Sequence, residues 1–116
     1  MEKNSEDPQE AYRLWSYEKP PKGINVIRGK YWQSSQFTKE YIVYLELNAP
    51  TYWRKEFIRR NNLIPNTIPV QLPGEAPSWF QPSKGYKVWV PSDFSQGSKY
   101  YEDTTSGHMF FYEIQL

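Results

Sequence analysis

The chain has 116 residues, with 14 Lys and Arg against 13 Asp and Glu, a single His and no Cys. This length favours one domain, the net charge of +1 offers no field that would attract nucleic acid or an anionic membrane, and the lack of Cys excludes disulfides and thiolate zinc sites. The 5 Trp, 10 Tyr and 6 Phe exclude a disordered chain and exceed what a small core requires.

The N-terminal residues 1–6 are polar and acidic, and they predict a disordered tail before a single domain over residues 7–116. No apolar region follows the start, so these residues do not predict a signal peptide, and no apolar stretch predicts a transmembrane segment. A leader or lipid anchor absent from this chain would make the domain exported or anchored, as in a bacterial cell envelope. Otherwise it would be cytoplasmic.

A short helix is predicted at the start of this domain. The pair Asp7-Pro8 is a typical helix start, with an aspartate cap and a proline at the first helical position. Ala11, Leu14 and Trp15 lie at i, i+3 and i+4, so about two turns share one apolar face. The prolines at positions 20 and 21 end the helix.

Alternating residues predict strands in the next part of the chain. Residues 23–28 are a first strand candidate, and Glu40–Asn48 alternates with a clean period of two. The polar residues 33–39 between them are typical of a hairpin loop.

The principal helix is predicted over about residues 50–63. Trp53 and Phe57 are spaced i, i+4 on one face, and Asn61-Asn62 is a plausible left-handed ending. From residue 64 to 82 the chain contains five prolines, which exclude a helix interior and a central strand. Because this segment also carries large apolar residues, we expect an ordered loop packed across the domain.

The last third of the chain predicts strands at residues 86–90, 99–102 and 108–116. Asp103–Gly107 joins the last two, with the turn chemistry of a hairpin. The fold prediction is therefore a single α+β domain with a mainly antiparallel sheet of four or five strands, the principal helix, the short N-terminal helix and the Pro-rich loop.

Candidates for catalysis are few. His108 is the only imidazole, and pairing with Asp103 across the turn would give an acid–base couple for a small hydrolase. No Ser or Cys motif provides a nucleophile beside it, so a solvated strand-end residue is the favoured interpretation. A single His without a second nearby ligand predicts no metal site, and we expect no cofactor.

Two sets of charged residues, a pair of glutamates and a basic run, are explained as solvated surfaces rather than as functional sites. Glu40 and Glu46 would share a strand face but lie roughly 20 Å apart, too far for a glycosidase pair, so a solvated sheet face is favoured. The basic run is Arg54, Lys55, Arg59 and Arg60. It predicts a solvated helix face rather than a nucleic-acid site.

The aromatic doublets are the strongest candidate for a site. Adjacent rings in a strand point to opposite faces of the sheet. If the core lies on one face, one ring of each doublet points away from it, and that ring is then exposed or covered by another segment. A binding surface would combine Tyr31, Trp32, Trp79 and Trp89, where the strands meet the Pro-rich loop.

The expected function is that of a non-enzymatic binding or accessory domain that recognises a protein or a glycan through these aromatic side chains. An immunity-type inhibitor that neutralises a toxin is the alternative, although the chain lacks the acidic run that suits a basic nuclease. A small hydrolase that uses His108 is the third hypothesis. The oligomeric state is left open.

Overall fold

A computed structural model describes residues 2–35, 40–67, 71–93 and 96–116. Its elements are β1 (Lys3–Ser5), α1 (Pro8–Ser16), β2 (Asn25–Gln33), β3 (Tyr41–Asn48), α2 (Thr51–Arg60), β4 (Leu63–Pro65), β5 (Lys87–Pro91), β6 (Lys99–Glu102) and β7 (His108–Gln115). In these described ranges the strands form one sheet in the order β1-β2-β3-β7-β6-β5-β4, and every neighbouring pair is antiparallel. The predicted α+β domain is confirmed, but four or five strands undercounts a sheet of seven.

The two edge strands are the ones that the sequence did not predict. β1 pairs with the end of β2, from Lys3 opposite Gln33 to Ser5 opposite Tyr31, and it lies within residues 1–6, for which a disordered tail remains the prediction. β4 pairs with the end of β5 at Leu63–Pro65, where the helix was expected to end. Three-residue strands carry too little alternation to detect, and they form here because a longer neighbour offers a free edge.

The short N-terminal helix begins as predicted. The backbone N–H of Glu10 donates to the Asp7 carboxylate at 2.8 Å, and Pro8 is the first helical residue. Ala11 is fully buried where the helix crosses β2, and a Cβ on Gly29 would lie only 2.8 Å from the Ala11 Cβ. The small side chains of the two elements therefore allow α1 to pack closely on the sheet.

Helix α2 ends earlier than predicted, and one of its basic residues is buried. It stops at Arg60, and Asn62 takes the predicted left-handed backbone at a φ of 51°. Arg54 was expected on a solvated face, but it is 5% exposed, and its Nε donates to Glu102 Oε2 at 2.8 Å. Its Nη1 also donates to the carbonyl of Ala49 at 2.6 Å, so the sheet supplies partners that the helical pattern cannot reveal.

Both helices cover the same face of the sheet, and they meet at Phe111. This fully buried ring stacks on Phe57 of α2 at 4.7 Å between centroids and meets Trp15 of α1 edge to face at 5.7 Å. Val43, Leu45 and Leu47, alternate residues of β3, complete the centre of this cluster. In the described part of the chain, neither helix is long and apolar enough to cross a membrane.

The opposite side of the sheet, which we call the helix-free face, carries a second buried cluster. Phe80 from the Pro-rich segment is 1% exposed, and its ring meets those of Tyr44, Tyr101 and Phe110 edge to face at 5.2–5.9 Å between centroids. The expected packing of the Pro-rich segment across the domain is therefore confirmed at Phe80. Residues 68–70 of that segment lie outside the described residues, as do 36–39 and 94–95 of the predicted links.

The predicted hairpin at 103–107 ends at Gly107, where both the backbone conformation and the close packing require a glycine. The Gly107 N–H donates to the carbonyl of Asp103 at 2.9 Å, and Gly107 has a φ of 84°. A Cβ at this position would lie 2.7 Å from the carbonyl oxygen of Ala49 and 2.5 Å from Nη1 of Arg54. The turn thus packs directly on the buried arginine.

We predict that Gly107→Ala lowers the free energy of unfolding by more than about 1 kcal/mol, because the methyl group meets backbone and the φ is strained. Urea unfolding followed by tryptophan fluorescence measures the change. Gly85→Ala is the matched control, since a Cβ there meets nothing within 4 Å. Equal stability of the two variants would contradict the packing of the turn on Arg54.

Candidate functional site

The four aromatic residues predicted to form one surface lie on two faces. Tyr31 pairs with Val43 and Trp89 with Tyr100, so both lie on the helix side of the sheet. Trp32 pairs with Ile42 on the helix-free face, and Trp79 packs against the Phe80 cluster there. Trp32 and Trp79 therefore share one face of the sheet, and Tyr31 and Trp89 share the other.

The two rings on the helix side have internal partners. Tyr31 is 4% exposed, donates its hydroxyl to the Gln33 side chain at 3.0 Å and stacks on Tyr41. The indole N–H of Trp89 donates to Glu102 Oε1 at 2.9 Å. Tyr31 is therefore an interior residue, whereas Trp89, like Trp32 and Trp79 on the helix-free face, is half-buried.

An apolar row crosses the helix-free face at the end farthest from the hairpin turn. Trp32, Ile42 and Ile114 are aligned on β2, β3 and β7, and we call them the outer row. All three are half-buried. Among the described residues, Trp32 and Ile114 pack against neither buried cluster.

Two lysines lie beside this row. The adjacent aligned positions are Lys30, Tyr44, Tyr112 and Lys99, in strand order. The two central tyrosines stack at 5.2 Å between ring centroids, so the lysines flank an aromatic pair. This arrangement places a lysine at each margin of the tyrosine pair, and the acidic group of Glu75 lies close enough to raise the pKa of both tyrosines, after their burial and, for Tyr44, the charge of Tyr112.

A groove of about 800 Å³ lies at the other side of the helix-free face, near β4 and β5. Its walls include Pro65, Leu72, Pro82, Tyr86 and Val88. Tyr101 also lines it, is 4% exposed, and has a hydroxyl without a hydrogen-bond partner among the described residues. A buried hydroxyl that bonds to nothing is costly, so this atom is a specific feature of the groove.

A chain of hydrogen bonds connects the groove to the only histidine. The hydroxyl of Tyr86 lies 2.5 Å from His108 Nδ1, and His108 Nε2 lies 2.8 Å from Glu46 Oε2. The other oxygen of Glu46 forms an ion pair with Arg28 at 3.4 Å. Because a carboxylate only accepts, Nε2 donates to Glu46, and a neutral His108 accepts from Tyr86.

This histidine chain corrects two expectations. His108 was expected either to be solvated or to pair with Asp103, but its ring binds Glu46 and Tyr86. Asp103 instead accepts from Ser106 and Thr105 within the turn, and the hydrogen bond from Ser106 is the main cause that lowers the pKa of Asp103. Glu46 was expected on a solvated face, yet it is buried.

The chain has the order of groups found in a catalytic triad, but its terminal group is not activated. Burial, then the charges of Asp103 and Glu46, raises the pKa of Tyr86, so its hydroxyl stays protonated at neutral pH. Both nitrogens of His108 are engaged within the chain, by the hydroxyl of Tyr86 and by the carboxylate of Glu46. These two contacts hold the ring of His108 and the hydroxyl of Tyr86 in fixed positions at the groove.

A second polar cluster surrounds Glu113 on the helix side. Its carboxylate accepts from the indole N–H of Trp15 at 3.0 Å, from the hydroxyl of Tyr100 at 2.6 Å and from the hydroxyl of Tyr41. Burial is the main cause that raises the pKa of both tyrosines, and Glu113 raises it further. The two phenols therefore remain donors, and these contacts satisfy the carboxylate internally.

In the described residues, no group of three or more His, Asp or Glu side chains is placed to hold a metal ion. The expectation of no metal and no cofactor stays a prediction.

Comparison of the chain with protein-family models, with curated proteins and with solved structures finds no match in any of the three.

Sequence reasoning missed the groove and the partner of His108. Strand parity places Glu46 and His108 on one face once β3 is known to pair with β7, since Asn48 lies opposite His108. The sequence gives each strand's alternation but not its neighbour. The groove has no local signal, because its walls come from three separate parts of the chain.

Tyr100 and Tyr101 provide a matched pair that tests the unpaired hydroxyl, since both are 4% exposed. Tyr100→Phe should lower the free energy of unfolding by about 1–3 kcal/mol, because Glu113 loses a donor. Tyr101→Phe should leave it unchanged or raise it, because no hydrogen bond is lost. Urea unfolding of both variants measures this, and equal destabilisation would contradict the unpaired hydroxyl.

Proposed function

We propose that this chain is a non-enzymatic binding domain that recognises a partner protein through the helix-free face. The observation that carries the proposal is the outer row of Trp32, Ile42 and Ile114, an apolar row that neither helix of the described residues covers. Aromatic residues that are partly exposed beside aliphatic ones are typical of protein-binding surfaces, and Trp is enriched among the residues that dominate binding energy.

A protein fits this row better than a glycan does. The two isoleucines offer apolar contact and no hydrogen-bonding group for sugar hydroxyls. Lys30 and Lys99, which flank the neighbouring tyrosine pair, would form a charged margin around an apolar centre. Such a centre with a polar rim is the usual anatomy of a protein–protein interface.

The charge of this margin also bears on the immunity-type alternative. An inhibitor of a basic nuclease needs an acidic contact surface, whereas Lys30 and Lys99 suit a partner with acidic groups. An inhibitor that used the outer row would therefore fit a toxin whose contact surface is acidic. The broader role of a protein-binding domain includes that case.

The hydrolase hypothesis has less support. The chain from Tyr86 through His108 to Glu46 is a specific arrangement, but the group at its end is a tyrosine whose pKa is raised by burial and by the charges of Asp103 and Glu46. A nucleophile is activated by a lowered pKa or by an adjacent base, and the raised pKa of Tyr86 works against the first of these. A positioning role for His108, which fixes Tyr86 at the groove, accounts for the same contacts.

We predict that a partner retained from a soluble extract of the source organism by the immobilised protein is retained more than about tenfold less by Trp32→Ser. Quantitative mass spectrometry of the bound fraction gives the ratio, and circular dichroism confirms that each variant is folded. If Trp32→Ser does not fold, Ile114→Ser tests the same row.

Tyr52→Ser is the matched control, because Tyr52 is an aromatic residue of α2 that is 68% exposed. Its retention of the partner should equal that of the wild type. Equal retention by all variants, or equal loss in Tyr52→Ser, would refute binding through the helix-free face. Binding to a glycan array that depends on Trp32, with no protein retained, would replace the protein partner by a glycan.

A further inference from the structure

We propose that the groove at the β4–β5 side of the helix-free face binds a small organic acid that combines a carboxylate, an apolar body and a second polar atom. This site is separate from the outer row, which lies on β2, β3 and β7. Binding in the groove therefore does not depend on whether the outer row binds a protein.

The size and walls of the groove suit a small molecule. Its volume of about 800 Å³ lies within the range of pockets that hold drug-sized ligands. Leu72, Val88 and the rings of Pro65 and Pro82 offer apolar contact on its walls. Because the prolines lack a backbone N–H, these walls favour contact with an apolar body over hydrogen bonds to a main chain.

The paired strands at the groove also argue against an added peptide strand. β5 is paired with β4 on one side and with β6 on the other. The backbone of Asn66 continues this pairing by donating to the carbonyl of Val88 at 2.8 Å. Neither edge of β5 is therefore free, and the edge of the sheet on this side is β4, which has three residues and ends at Pro65. Such a short strand with a proline offers little backbone for an added peptide strand, so recognition by side chains is favoured.

The hydroxyl of Tyr101 calls for a polar atom on the ligand. It is buried and has no hydrogen-bond partner among the described residues, although Tyr101 lines the groove. The neighbouring Tyr100 is equally buried and uses its hydroxyl fully, on Glu113. A ligand hydroxyl or carbonyl that reached Tyr101 would satisfy a group that the fold leaves unpaired.

The charge at the groove favours an anion. Lys84 and Lys87 both line it, and no Asp or Glu is among its described lining residues. Neither lysine forms an ion pair within the described part of the chain. Because Lys87 Nζ already lies over the Trp89 ring, 4.4 Å from its centroid, a carboxylate at this end of the ligand would meet the ammonium group of Lys84.

The test uses 4-hydroxyphenylacetate as the probe, with phenylacetate and 4-hydroxyphenylacetamide as matched compounds. In an NMR titration the methyl signals of Leu72 and Val88 should shift with the probe. The neutral amide should bind about two- to fivefold more weakly, which is the scale of an exposed ion pair. Tyr101→Phe should weaken the hydroxylated probe about two- to tenfold and leave the affinity for phenylacetate unchanged.

Leu72→Glu and Ile64→Glu complete the test, since these leucine and isoleucine side chains are 45% and 47% exposed. Leu72→Glu should abolish binding, because it replaces an apolar contact with a charge that repels the carboxylate. Ile64 does not line the groove, so Ile64→Glu should bind like the wild type. Absence of saturable shifts, equal affinity for acid and amide, or equal effects of the two glutamate variants would each overturn the proposal.

Discussion

The alternation of side chains along β7 sets the organisation of the whole domain. Phe110 and Phe111 are adjacent in sequence, so they must point to opposite faces of the sheet. Phe111 is the ring on which Trp15 of α1 and Phe57 of α2 converge, while Phe110 packs under Phe80. Because β7 lies between β3 and β6, a single central strand anchors both buried clusters. The two faces are nevertheless covered differently, by helices on one side and by a Pro-rich segment on the other.

The polar residues of the sheet follow from the same alternation. Glu102 and Glu113 face the helix side, where Arg54, Trp89, Trp15 and two tyrosines donate to them. A buried carboxylate without such donors would strongly destabilise the fold, so these contacts explain much of the aromatic surplus: Tyr and Trp fill apolar space and also donate. On the helix-free face the chain through His108 has the same role for Glu46. Among the described residues, two buried side-chain atoms have no hydrogen-bond partner. Glu46 Oε1 is in an ion pair with Arg28, whereas the hydroxyl of Tyr101, a residue that lines the groove, has neither kind of contact.

The sequence predicts those features that depend on interactions between residues close together in the chain. The Asp7 cap, the alternation of β3 and the 103–107 hairpin each depend on neighbouring residues, and each was found in the structure. The edge strands, the burial of Arg54 and the partner of His108 depend on which distant strands meet, and one sequence does not give that information. The predicted site shows the same limit. The alternation of side chains along β2 correctly implies that Tyr31 and Trp32 point to opposite faces of the sheet. Only the packing of the sheet tells which of them faces the helices.

The central claim is that two parts of the helix-free face, the outer row and the groove, are open to ligands in the folded protein. A neutral nitroxide dissolved with the protein tests it directly, because paramagnetic relaxation reports how closely the probe approaches each side chain. We expect strong relaxation of the Trp32 indole and of the Ile114 and Val88 methyl groups, and little at the methyl of Met109, which is 0% exposed. Protection of Trp32, Ile114 and Val88 equal to that of Met109 would mean that the face is covered, and it would contradict both proposed sites.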